Sequence, residues 1–136
     1  MILSAKEFAR LRLSLVESEY NRAATEDAPL QVWLDVLAQS PELREWVAHN
    51  KTVPLEILQI LAEDPDERVR CVVAGKRKLT HELRTKLSRD SDPSVRERLA
   101  YTAKVELHLL HQLAADPEQF VRAAAKNALA RHQSAA

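Results

Sequence analysis

A period of 26 residues runs through most of this chain and decides what it can fold into. Leu43-Arg44, Val69-Arg70, Val95-Arg96 and Val121-Arg122 recur at that interval, and Asp64, Asp90 and Asp116 keep it too, each six residues ahead of its arginine. Two apolar columns accompany them: Leu61, Leu87 and Leu113, and Val47, Val73, Leu99 and Ala125. A unit this short cannot bury an apolar face alone, so consecutive units must stack to share a core. The first unit departs from the rest, with Ala38 where the aspartate would stand and two residues fewer.

Each unit reads as two short helices. Pro54, Ile57, Leu58 and Leu61 follow the i, i+3, i+4, i+7 spacing of an amphipathic helix. A second helix starts near Asp64-Pro65-Asp66-Glu67, where acidic caps, an early proline and carboxylates at the positive dipole end agree. Ser40-Pro41-Glu42, Asp92-Pro93 and Asp116-Pro117-Glu118 serve the other units in the same way. One glycine and 4% aromatic residues leave little for the tight turns of a sheet. The expectation is an all-α fold: a right-handed α-solenoid of about four two-helix repeats over residues 30–136, with residues 1–29 as an N-terminal helical cap in the same domain. Ser4-Ala5-Lys6-Glu7 has the form of a capping box, and Phe8, Leu11 and Leu15 follow it at helical spacing. Asp64 with Arg70, Asp90 with Arg96 and Asp116 with Arg122 are expected to meet between turn and second helix, a structural ladder with one rung per layer.

The stretch Val47-Ala48-His49-Asn50-Lys51-Thr52-Val53-Pro54, followed by Leu58, Leu61-Ala62, Asp64 and Val69-Arg70, resembles the variant leucine-rich repeat. In that family VA-x-N, a proline, spaced leucines, an aspartate and a VR pair succeed one another. The Asp and Val-Arg pairing is equally similar to the HEAT family, and the resemblance covers roughly residues 33 to 131. It implies a helical-repeat fold, with one helix of each unit 3₁₀ in the variant leucine-rich case. HEAT-like relatives include DNA glycosylases that grip the nucleic-acid backbone and lyases acting on bound chromophores. Relatives with an iron-sulfur module need several cysteines, whereas this chain has only Cys71.

That lone cysteine excludes an internal disulfide and any site built from several thiolates, and it fits a reducing cytoplasm. The N-terminal residues are interrupted by Lys6, Glu7, Arg10 and Arg12, so neither a signal peptide nor a membrane span is expected. The net charge is zero but divided: residues 1–67 hold 6 basic and 13 acidic side chains, net −7, and residues 68–136 hold 14 and 7, net +7. Such asymmetry bears on partners and on association rate.

The basic run Gly75-Lys76-Arg77-Lys78 aligns with His49-Asn50-Lys51-Thr52 and with Tyr101-Thr102-Ala103-Lys104, the turn leaving each second helix. Gly75 is expected there in the left-handed conformation that commonly ends helices. A phosphate-binding loop is excluded, because Arg70 stands where its first glycine would be. Lys51, Lys76, Arg77, Lys78 and Lys104 would line one basic edge. Trp33 falls in a core column, while Trp46 aligns with Val72, Arg98 and Ala124, a mixed column that fits either core packing or a partner contact. Phe120, in the column of Arg68 and Ser94, is expected at the surface. His108 and His111 lie i, i+3 beside Glu106 without a further ligand, and Cys71 lacks a paired base.

No enzyme, metal or cofactor is therefore expected. The leading expectation is a small cytoplasmic protein-interaction module, adapter or inhibitor, meeting an acidic protein surface through Trp46, Lys51, Lys76, Arg77, Lys78 and Lys104. Nucleic-acid binding through the basic half and an immunity or antitoxin-type inhibitor of a bacterial toxin are the alternatives.

Overall fold

A computed structural model describes residues 1–102 and 104–135, and among these every regular element is helical. Ala103 and Ala136, which the repeat register includes, lie outside them. The chain divides into two compact units, Met1–Glu63 and Asp64–Ala136. The first holds α1 (Ala5–Leu13), α2 (Glu17–Thr25), α3 (Leu30–Gln39), a 3₁₀ turn at Pro41–Leu43, α4 (Arg44–His49) and α5 (Leu55–Leu61). The second holds α6 (Glu67–Ala74), α7 (His81–Leu87), α8 (Pro93–Ala100), α9 (Leu107–Leu113) and α10 (Gln119–Ala135). No helix among the described residues is long and apolar enough to cross a membrane.

Helices of seven to nine residues are marginal in water, so capping and burial must hold them. Ser4 Oγ accepts the Glu7 N–H at 3.0 Å, while the Glu7 carboxylate accepts the N–H of Leu3 at 3.0 Å, one residue ahead of the usual capping-box partner. Phe8 and Leu11 enter the core, and Phe8 meets Trp33 edge-on with ring centroids 5.4 Å apart. Leu15 does not follow them: α1 stops at Leu13 and Leu15 is 99% exposed. The cause is Ser14, whose hydroxyl accepts the Val16 N–H at 3.0 Å and donates to Glu19 at 3.0 Å, turning the chain into α2. Both apolar columns of the repeat are buried throughout. Each such leucine or valine contributes about 2 kcal/mol by leaving water.

Asn50 locks the first unit. This fully buried amide donates to the carbonyls of Ala23 and Glu26 at 2.8 and 3.0 Å, and its oxygen accepts the Thr52 N–H at 2.8 Å. It thereby ties the end of α2 to the turn after α4, beside a further bond from the Lys51 N–H to Ala24.

In the second unit the arginine and aspartate columns interlock with a different register from the one the spacing suggests. Arg70 sends a two-pronged guanidinium fork to Asp90, 20 residues on, at 2.9 and 3.1 Å. Arg96 does the same to Asp116 at 2.7 and 3.1 Å. The aspartate six residues ahead offers its backbone instead: Arg70 donates to the Asp64 carbonyl, Arg96 to that of Asp90 and Arg122 to that of Asp116, each at 2.7 Å. An i, i+6 interval brings the arginine onto the carbonyl, and only the next turn presents a carboxylate in fork geometry. Asp64, Asp90 and Asp116 also each accept the N–H two residues on at 2.9 Å, shaping the turn before the second helix. Burial pushes the Asp116 carboxyl up, but the hydrogen bonds from Arg96 and Glu118 and the Arg96 charge outweigh it and hold the group low.

Candidate functional site

Two surfaces stand out once structural roles are assigned. The first, in the Met1–Glu63 unit, is an open groove of about 490 Å³ lined by Arg12 of α1, Tyr20, Asn21, Ala23 and Ala24 of α2, and Trp46 and His49 of α4. Trp46 is 37% exposed, and the His49 ring lies 5.4 Å from it on the same helix face. The Arg12 guanidinium sits over the indole with its carbon 3.5 Å from the ring centroid. Its Nε is buried without a hydrogen-bond partner among the described residues. Lys51, also of this unit, is exposed.

The second surface, in the Asp64–Ala136 unit, is the turn after α6. Gly75 caps that helix at φ −84°, ψ −4°, and no described residue has positive φ, so the left-handed conformation expected for it is absent. Its role is to make room. A Cβ on Gly75 would fall 2.7 Å from Arg98 Nε and 2.9 Å from Nη2. Gly75, Arg77, Arg98, Tyr101 and Thr102 line a hollow of about 190 Å³ there. Thr102 also donates to the Ala74 carbonyl at 2.6 Å.

In this turn Arg77 and Lys78 are exposed and Lys76 is half-buried, and Lys104, in the turn after α8, is exposed too. Burial, and secondarily the charge of Lys78, bring the Lys76 ammonium down to about 8. It therefore carries less positive charge at neutral pH than an ordinary surface lysine. Sequence reasoning missed Arg12, Tyr20, Asn21 and Arg98. Arg98 had a faint signal in its column, as an arginine aligned with Trp46, but Arg12 enters through the fold alone.

Other candidates have structural explanations. Trp33 is fully buried and Phe120 is exposed. Burial raises the half-buried Cys71 thiol, the direction opposite to activation. Glu106 takes the guanidinium of Arg84 at 2.7 Å and lies 3.5 Å from His81, whose ring is 5.5 Å from that of His108. Among the described residues no group of three or more His, Cys, Asp or Glu could hold a metal ion. Comparison with protein-family models, with curated proteins and with solved structures returned no match.

Proposed function

We propose that the protein is a helical-repeat binding module of the solenoid kind, related to variant leucine-rich or HEAT-like repeats, that works by engaging a protein partner in the cytoplasm rather than by catalysis. The observation that carries this reading is the Arg12–Trp46 groove. Trp, Tyr and Arg are the residues that most often dominate binding energy, and here one of each lines a concave, mostly apolar surface left open to solvent. A partner that moves Arg12 aside would uncover the indole face for its own side chain and give the unpartnered Nε an acceptor. Positive charge from Arg77, Lys78 and Lys104 in the other unit favours an acidic partner and speeds encounter. The repeat reading is supported by the Arg70–Asp90 and Arg96–Asp116 forks, which recur with the sequence period.

The test is affinity capture from lysate with and without nuclease, followed by titration of the captured partner with the native chain and with Trp46→Ala. Because Trp46 lies at the surface, the variant should stay folded by circular dichroism. A nuclease-resistant protein partner whose affinity drops about 30-fold or more in Trp46→Ala is the expected result. Unchanged affinity would remove the groove from the interface, and partners lost to nuclease would move the function to nucleic acid.

A further inference from the structure

Most arginines of the Asp64–Ala136 unit are engaged. Arg68 pairs with Asp66, Arg70 with Asp90, Arg84 with Glu106 and Arg96 with Asp116, while Arg122 holds the Asp116 and Pro117 carbonyls. The side chains of Arg77 and Arg98, like those of Arg89 and Arg131, form no hydrogen bond or ion pair with any described residue, and of these four Arg77 and Arg98 line the hollow at Gly75. The C-terminal ends of α6 and α8 attract cations to this place through their dipoles. Among the described residues, no carboxylate lines the hollow beside these two arginines.

We propose that this hollow is a binding site for the dianionic head of a phosphate monoester, independent of the Trp46 groove. A carboxylate is matched by one guanidinium fork. Arginines drawn from α8 and from the loop after α6 suit a group with three acceptor oxygens and two charges. Tyr101, also lining the hollow, carries a further donor, whereas the Thr102 proton is already directed at Ala74. A volume of about 190 Å³ holds a phosphate group while its carrier stays on the surface. Gly75, the one glycine of the chain, is what lets the Arg98 guanidinium lie against the turn. The same head group could be carried by a phosphorylated side chain or by a nucleotide 5′-monophosphate.

The experiment is an amide chemical-shift titration of the full chain at about pH 7.5, where a phosphate monoester is dianionic. The probes are inorganic phosphate, a phosphoserine peptide, adenosine monophosphate and acetate. Saturable shifts at Gly75, Tyr101 and Thr102 are expected from the phosphates, with acetate at least about ten-fold weaker. Arg98→Gln, at an exposed position, should weaken phosphate about ten-fold or more, while Arg131→Gln on α10 should leave it unchanged. Gly75→Ala keeps an allowed backbone but displaces the guanidinium, so affinity should fall several-fold with an unchanged circular dichroism spectrum. Preference for the peptide or for the nucleotide names the carrier, and the site stands with either. Absence of saturable shifts, equal affinity for acetate, or undiminished binding in Arg98→Gln would overturn the proposal.

Discussion

The two compact units close their turns with different chemistry. In Met1–Glu63 a neutral amide, Asn50, takes two carbonyls of the α2 end and one N–H of its own turn, alongside the Phe8–Trp33 aromatic pair. In Asp64–Ala136 charged forks recur from one turn to the next, Asp90 and Asp116 each serving an arginine, a turn N–H and, through the carbonyl, a second arginine. An amide satisfies polar groups without bringing a charge out of water. A fork brings in two, so its stability depends on both partners being present.

The sharpest way to break this contrast is to remove one member of a fork. Asp116→Ala leaves the Arg96 guanidinium nearly buried beside an empty partner position and should lower unfolding free energy by about 3–5 kcal/mol in urea denaturation. Replacing both, as Arg96→Met with Asp116→Leu, should recover most of that loss, because the fork stabilises little beyond a well-packed apolar pair. A double variant as unstable as the single one would mean that the fork itself contributes net stability. Asn50→Ala should cost about 2 kcal/mol, since it removes the amide donors to the Ala23 and Glu26 carbonyls, leaving Glu26 only the Thr52 hydroxyl, without introducing a buried charge.

Two smaller effects separate the units by pH. The Arg22 hydrogen bonds, followed by the amino terminus, hold the Glu26 carboxyl down to about 2 from an ordinary 4.5. Its contribution is complete above pH 4.5 and should vanish as pH falls toward 2, an acid slope that Arg22→Met reduces when urea midpoints are compared across that window. Lys76 works in the opposite sense. With a folded value of about 8 against 10.5, the folded chain binds fewer protons between those limits, so stability should rise as pH climbs through them. Lys76→Met should flatten the rise, and a native chain with no alkaline gain would show that Lys76 titrates as an ordinary surface lysine.

These contrasts also mark what can be read from the chain. Helix starts at Ser4, Asp66 and Asp92 were legible because a cap residue meets its N–H two or three positions away. The end of α1 was misread, since the Phe8, Leu11, Leu15 spacing continues past Ser14 while the serine hydroxyl bonds the next helix. Trp46 was legible as a mixed-column aromatic. The groove around it was not, because Arg12 and Trp46 are brought together by the packing of α1, α2 and α4.

By itself the sequence determined the helical period, the buried columns and the residues of the ladder, for each follows from side-chain spacing within one turn or one repeat. Tertiary structure alone decided which aspartate each arginine holds, why the lone glycine sits where it does, and which arginines are left over. Those outcomes depend on atoms 20 or more residues apart meeting within hydrogen-bond distance. No local pattern encodes such meetings, because they arise only when neighbouring turns pack and compete for the same charge.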